Sequence, residues 1–148
     1  MAYCQAMAIF LTERLLVMSR PKQSEAHHEE LIEAFHNQLK PVFESSEQGM
    51  YLYLDDAHKV CNERYASLLG YGTPGEWARV TEFTDLVAEK STDALVTAYQ
   101  RAMERKIGST ITVTWKKKSG GTVDTNVIVV PVAYNGHLFG LHFVSPKV

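Results

Sequence analysis

Histidines are the residues of this sequence whose type and spacing most directly suggest chemistry. Three of them, His27, His28 and His36, fall within one short stretch. A helix places two imidazoles on one metal ion when they are four residues apart, and no pair here has that spacing. The pattern therefore favours solvated surface histidines, and we predict no metal site.

An acidic turn, Asp55-Asp56 followed by His58, superficially suggests acid–base chemistry. Asp side chains collect in tight turns because they bond their own backbone, so a turn alone accounts for this cluster. The sequence contains no G-x-S-x-G, P-loop, H-E-x-x-H, kinase or cyclase motif. We therefore predict that the protein is not an enzyme, and a small enzyme on a similar fold is the least favoured alternative.

The cysteines and charged residues of the sequence also show no pattern typical of a functional site. The two cysteines, Cys4 and Cys61, are too few for a disulfide scaffold or a four-cysteine zinc site, and Cys61 is predicted to be a small buried apolar residue. With 15 basic and 17 acidic residues the net charge is −2, which argues against nucleic-acid binding. The lysine run 116–118 is predicted to be a solvated hairpin tip. These features predict a globular, cytoplasmic domain whose cysteines are reduced.

The N-terminal segment is assigned to residues 1–24 as an extension and linker. Residues 6–18 are apolar except at Thr12, Glu13 and Arg14. This stretch is too short and too charged to span a bilayer, and no basic residue precedes Arg14 as a secretory signal requires. We expect an extra N-terminal helix, or residues upstream of a true start at Met18, and no membrane association.

An amphipathic helix is predicted over residues 25–43. Ser24 is a plausible N-cap with acidic residues after it, and Lys40-Pro41 closes the pattern. One apolar stripe with helical spacing must pack on another surface. The residues of this stripe that we assign to a dimer or outer-face contact are Leu31, Phe35 and Leu39.

The remaining segments predict an α+β domain with an antiparallel sheet. Two short strands surround the Asp55 turn, Asn62 begins a short helix ended by Gly70, and a long helix runs from an N-cap at Ser91 to Gly108. The last forty or so residues read as a three-stranded meander, with Asn135-Gly136 as a strong hairpin signal. The meander strands are placed at 109–117, 122–132 and 137–144.

Several ordered motifs resemble PAS sensory domains. Residues 62–71 (NERYASLLGY) resemble the family's N-x-x-(aromatic)-x-x-L-x-G-Y signature, and residues 118–121 (KSGG) resemble its (K/R)-x-G-G hairpin. Pro131, Asn135-Gly136 and residues 138–144 resemble its last two strands. The resemblance assigns a PAS domain to residues 44–148. It implies a five-stranded antiparallel sheet with short helices and one long helix on one face, which together enclose a small ligand pocket.

Strand alternation, counted back from Asp55 as the family's strand end, assigns the two sheet faces. His142 matches a glutamine that contacts the ligand in flavin-binding members; otherwise it is a core histidine bonded to a backbone carbonyl or water. Trp115 and Tyr99 either stack on a planar ligand or fill the core. The full ligand-binding set is His142, Trp115, Tyr99, Leu52, Leu54, Val127, Val129 and Met103. The outer face is assigned Phe139, Leu141, Phe143, Tyr51 and Tyr53, and because it is apolar it must be covered.

The resemblance also restricts the cofactor. Residues 83–87 (FTDLV) occupy the place of the light-sensing cysteine motif and carry no thiol, so a covalent flavin adduct is excluded. Haem-binding members ligate iron through a histidine on the long helix, and residues 91–107 contain none. The characteristic context of the p-coumarate photoreceptor cysteine is also absent. An unidentified small organic ligand remains the expectation.

The sequence therefore predicts a sensory domain that binds a small ligand between the long helix and the sheet. It would signal as a homodimer, through the outer sheet face and helix 25–43, to a partner protein of unknown identity. A helix from the same chain could cover the outer face equally well. The alternative is a ligand-free PAS module that only dimerises or docks a partner.

Overall fold

The computed structural model describes residues 21–147, with side chains from His27 onward. The expected helix or alternative start within residues 6–18 lies outside this range. No helix among the described residues is long and apolar enough to cross a membrane.

Within residues 21–147 there are five strands and four α-helices, and the order of hairpin, helices and meander is the one expected from the sequence pattern. Helix α1 comes first, a β-hairpin and two short helices follow, and the long helix α4 precedes the meander. The elements are α1 (Pro21–Ser45), β1 (Gly49–Asp55), β2 (His58–Cys61), α2 (Glu63–Leu68), α3 (Pro74–Ala78), a 3₁₀ turn (Phe83–Asp85), α4 (Glu89–Arg105), β3 (Ser109–Lys116), β4 (Thr122–Tyr134) and β5 (His137–Pro146).

The strands form one antiparallel sheet in the order β2-β1-β5-β4-β3. β5 lies at the centre, where His142 pairs with Tyr51 of β1 on one side and Val129 of β4 on the other. The last hairpin turns at Asn135-Gly136, whose φ values of 52° and 83° are the positive values that a type I′ turn requires. The predicted α+β fold class is confirmed.

The long helix α4 differs from its prediction at both ends. Ser91 is not the N-cap: it lies inside the helix, and its Oγ accepts a hydrogen bond from the Thr114 N–H at 2.8 Å. At the other end Lys106, with φ of 57°, takes the left-handed position expected of Gly108. Gly108 instead allows close approach to β4, because a Cβ there would lie 3.2 Å from the Val129 carbonyl oxygen.

Helix α1 is also longer than predicted. It includes Ser24, which is therefore not an N-cap, and it continues through Pro41 to Ser45. Pro41 loses one helical hydrogen bond, yet Phe43 beyond it is only 3% exposed and packs in the same apolar cluster as the rest of the helix. The burial of Phe43 therefore stabilises the last turn of α1, beyond Pro41.

The two faces of the sheet pack against different partners. The inner face packs against α2, α3 and α4 in one core cluster, which includes Val113, Val127 and Val129. The outer face is covered by α1 of the same chain in a second cluster. That cluster consists of Leu31, Ile32, Phe35, Phe43, Met50, Leu52, Phe139 and Leu141, with Leu39, Leu54, Val60, Val130, Val132, Tyr134 and Phe143 at its margin.

Candidate functional site

The face assignment of β1 is wrong by one residue. Tyr51 and Tyr53, expected on the outer face, belong to the inner core, whereas Leu52 and Leu54, expected in the ligand pocket, lie under α1. The pairing of β1 with β2 shifts register between Tyr53 and Asp55. The faces of β1 are set by its pairing with β5, where Tyr51 lies opposite His142 and Leu52 opposite Leu141, and a register one residue away would exchange them.

The other predicted side chains fall into two groups. Trp115, Val127, Val129 and His142 are buried from the inner face, and Met103 packs at the margin of the same core. Phe139, Leu141 and Phe143 lie on the outer face, against the α1 stripe. The stripe residues that make this contact are Leu31, Phe35 and Leu39.

His142 lies at the centre of the inner face and is 2% exposed. Its ring stacks on Tyr51, with centroids 3.9 Å apart and planes 8° from parallel. Its Nδ1 lies 3.1 Å from the Gly140 carbonyl oxygen, to which it donates because a carbonyl only accepts. Burial lowers the pKa of His142 to about 3, although hydrogen bonds to the Gly140 and Tyr51 backbone act in the opposite direction. The ring is therefore neutral at physiological pH.

The polar atoms of Trp115 and Tyr99 are bonded within the protein. Trp115 Nε1 donates to Thr125 Oγ1 at 2.8 Å, and that hydroxyl donates in turn to the Val113 carbonyl at 2.9 Å. The Tyr99 hydroxyl donates to the Leu54 carbonyl at 3.3 Å. Each group already has the partner that a buried polar atom needs, so a ligand would meet their ring surfaces rather than free donors.

Two buried polar atoms of the same core have no hydrogen-bond partner among the described residues: the Tyr65 hydroxyl and the Trp77 Nε1. The two rings lie edge to face with centroids 5.1 Å apart, and each also packs against Tyr51. Tyr65 is fully buried and Trp77 is 1% exposed. An unpaired buried donor is costly, so these two groups mark the place in the core best suited to a polar ligand atom.

Sequence reasoning missed both residues as site candidates, although a signal for one was present. Tyr65 is the aromatic residue of the 62–71 motif, and its position is fixed by the N-cap before it. Asn62 Oδ1 accepts from the Tyr65 N–H at 3.0 Å, so helix α2 begins with Tyr65 directed into the core. Trp77 carries no comparable motif.

The acidic turn between β1 and β2 is stabilised by its own backbone, as its composition predicts. The Ala57 N–H donates to Asp55 Oδ1 at 3.0 Å, and Asp56 Oδ1 accepts from the Tyr53 hydroxyl at 2.6 Å. The structure adds a partner from outside the turn, however. His28 of α1 places its Nδ1 3.1 Å from Asp55 Oδ2.

Cys61 and the lysine run show no reactive arrangement. Cys61 is 2% exposed, and burial raises the pKa of its thiol to about 12. Lys118 forms an ion pair with Glu76, and Lys116 donates to the Thr84 carbonyl at 2.7 Å. These contacts fasten the start of the β3–β4 connection to neighbouring segments.

Comparison with solved structures identifies the fold. A PAS domain from Colwellia psychrerythraea matches with a TM-score of 0.60 at 16% identity, over 76% of this chain and 97% of that one. A PAS domain of an HTR-like protein from Haloarcula marismortui gives 0.59 at 15% identity, over 82% and 99%. The LOV protein of Rhodobacter sphaeroides gives 0.60 at 14% identity, over 74% and 65%. No protein-family model and no curated protein matches the sequence. The chain has the PAS fold that its motif order predicts.

Proposed function

We propose that this protein is a non-enzymatic PAS-type sensory domain that binds a small organic ligand in its inner core. The observation that carries the proposal is the pair of unpartnered buried polar groups, Tyr65 Oη and Trp77 Nε1. A ligand that offers an acceptor, such as a carbonyl or carboxylate oxygen, would satisfy a buried donor of this kind. The surrounding rings of Tyr51 and Trp115 favour a planar ligand.

The same geometry supplies a route for the signal. Tyr51 and His142 pair across β1 and β5 on the inner face, and their chain neighbours Leu52 and Leu141 pair on the outer face. Leu52 and Leu141 pack in the cluster that contains the α1 stripe. A ligand that displaces the stacked Tyr51–His142 pair would therefore move two central strands beneath α1. One of the matched structures is a PAS domain from a two-component sensor histidine kinase, which accords with such a role.

A second candidate, a ligand-free interaction module, is favoured by a different observation. Four large side chains (Tyr65, Trp77, Trp115 and His142) are each no more than 2% exposed. Tyr65, Trp77 and Trp115 belong to the core cluster between the sheet and the helices. In this case α1 and the outer face would be the functional surface, and the aromatic core would only support it.

Native mass spectrometry of the purified chain, beside its denatured mass and absorption spectrum, tests the ligand. The proposal predicts a native mass above an integer number of chains, and a loss of the extra mass in Tyr65→Phe and Trp77→Phe. Bare wild-type chain, purified from its own host and then challenged with a library of small carboxylates and heteroaromatics without binding, would refute the ligand and leave the interaction module.

Tyr99→Phe is the matched control because it removes a tyrosine hydroxyl that has a partner. In ligand-free protein we expect Tyr99→Phe to lower the free energy of unfolding by about 1 kcal/mol, whereas Tyr65→Phe leaves it unchanged or raises it. Equal losses in the two variants would mean that the Tyr65 hydroxyl is already satisfied, which contradicts the proposed site. Urea unfolding gives both values.

The structure removes the reason for which a homodimer is expected from the sequence. The homodimer was expected because the outer face would otherwise be bare, but α1 of the same chain covers that face. A homodimer and a cytoplasmic location stay predictions, and light scattering of the full chain tests the first. The cofactor prediction is likewise retained: a noncovalent organic ligand, with neither a flavin–cysteinyl adduct nor haem.

A further inference from the structure

The structure brings together residues that are distant in the sequence at one end of the sheet. His28 comes from α1, Asp55 from the end of β1 and His58 from the start of β2. Their imidazole nitrogens and carboxylate oxygen all lie within 4.8 Å of one another. We propose that these three side chains form a binding site for a divalent cation of the zinc class.

The carboxylate of Asp55 lies between the two imidazoles. Its Oδ1 is 2.7 Å from His58 Nδ1 and its Oδ2 is 3.1 Å from His28 Nδ1. The Ala57 N–H also donates to Oδ1 and fixes the carboxylate orientation, as backbone donors do behind metal ligands. Zinc binds imidazole nitrogen and carboxylate oxygen at about 2.0–2.2 Å, so small side-chain rotations would place all three ligands around one ion.

Two more imidazoles border this site. The ring of His137, at the start of β5, has its centroid 6.0 Å from that of His28 and 5.1 Å from that of His27. The His28 and His58 rings are 5.6 Å apart in an edge-on arrangement. Four of the protein's six histidines thus gather where α1 meets two hairpins. Either His27 or His137 is available as a fourth ligand, with water as the alternative.

The donor set decides the class of cation. Imidazole suits zinc, copper, nickel and cobalt, whereas magnesium and calcium prefer an all-oxygen shell. A site with one carboxylate and two or more imidazoles therefore selects a late first-row divalent ion. His58 is the most enclosed ligand, with 12% of its side chain exposed, while Asp55 at 40% leaves the site open to entry from solvent.

Bound metal would fasten α1 to the sheet. Of the three principal ligands, His28 lies on α1 and the other two lie on the β1–β2 hairpin, so the ion would cross-link helix to hairpin. This inference does not depend on a ligand in the inner core, because the proposed metal site shares no residue with the Tyr65 and Trp77 pair.

Isothermal titration of the untagged full chain with Zn²⁺ tests the site, and Co²⁺ serves as a spectroscopic probe because its visible bands report on coordination. We expect one ion per chain, and a weakening of affinity by about 100-fold in His58→Gln and in Asp55→Asn. Mg²⁺ and Ca²⁺ should not compete. We also expect Zn²⁺ to raise the melting temperature of wild type but not of either variant.

His36→Gln is the matched control because it alters a histidine of α1 two helical turns beyond His28, outside the cluster. Its Zn²⁺ affinity should equal that of wild type. Circular dichroism shows whether each variant is folded, and His28→Gln provides a second, helix-borne test should the hairpin variants unfold. No Zn²⁺ binding to wild type, binding unchanged in all three cluster variants, or an equal loss in His36→Gln would overturn the proposal.

Discussion

The two faces of the sheet are built from different kinds of side chain. The inner face includes rings with polar atoms, and two of the most buried are hydrogen-bonded: His142 to Gly140 and Trp115 to Thr125. On the outer face the cluster under α1 holds apolar side chains, of which Leu52 and Phe139 are fully buried. The stability of the outer face therefore depends on how well apolar side chains fill the space under α1. The stability of the inner face also depends on the direction of hydrogen bonds and on the protonation state of His142.

The largest effect is expected on the outer face. Phe139 is fully buried, with its ring centroid 5.0 Å from that of Phe35 of α1. Phe139→Ala should lower the free energy of unfolding by about 3–5 kcal/mol, because it leaves a cavity between helix and sheet. Urea unfolding measures the loss. Phe143→Ala, at a half-buried position on the same face, should lower the free energy of unfolding by less. Equal losses in the two variants would contradict the inference that buried side-chain volume stabilises this face.

A smaller effect is expected where the two regions are joined. Asn62 Oδ1 accepts from the N–H groups of Met50 and Tyr65, and Nδ2 donates to the carbonyls of Phe43 and Gln48, at 3.0–3.1 Å. One side chain thus links the end of α1, the start of β1 and helix α2. Asn62→Ala should cost about 3 kcal/mol, because it leaves several buried backbone groups unpaired.

Thr73→Ala provides the comparison for this effect. Thr73 is also an N-cap, but its Oγ1 makes a single exposed hydrogen bond, to the Glu76 N–H at 3.1 Å. The loss should be about 1 kcal/mol, measured in the same urea experiment. A Thr73→Ala loss as large as that of Asn62→Ala would show that Asn62 acts only as a helix cap.

The remaining effect depends on pH and concerns protonation on the inner face. Because burial lowers the pKa of His142 from 6.5 to about 3, the unfolded chain binds more protons than the folded one between these values. The stability from a neutral His142 is complete above pH 6.5 and is lost as the pH falls towards 3. Within this window the free energy of unfolding should fall by about 1.4 kcal/mol per pH unit from this group.

His142→Gln isolates this effect from the other titrating groups. The difference in unfolding free energy between wild type and variant should shrink as the pH is lowered from about 7 to about 5. Asp56, whose pKa is raised by burial, titrates in both proteins and cancels in the difference. A difference that does not vary with pH would mean that His142 titrates normally, contrary to its burial.

Local chemistry in the sequence predicted much of the fold. The Asn135-Gly136 turn and the Asn62 cap can be predicted from the sequence because each depends only on its own residues and their near neighbours. Helix ends were less predictable: Ser91 hydrogen-bonds to β3 instead of capping α4, and Pro41 stays helical because Phe43 is buried. These ends depend on contacts with distant segments, which local rules do not contain.

The candidate sites depended still more on tertiary contacts. The ordered motifs predicted which residues are strands, but the pairing of Tyr51 with His142 across β1 and β5 decided that Tyr51, and not Leu52, faces the core. His28 and His58 are thirty residues apart in the chain, so a spacing rule for single helices could not pair them. Only the packing of α1 beside the two hairpins does so.

By itself, the sequence determined the identity and order of the elements, the antiparallel class of the sheet and its likeness to PAS domains. The elements and the class of the sheet follow from periodicity, capping and turn chemistry, which act over a few residues, whereas the likeness rests on the resemblance of the ordered motifs to that family. The tertiary structure alone decided which face each β1 side chain joins, what covers the outer face and which histidines meet around Asp55. Those outcomes depend on strand register and helix packing, where a shift of one residue reverses every contact.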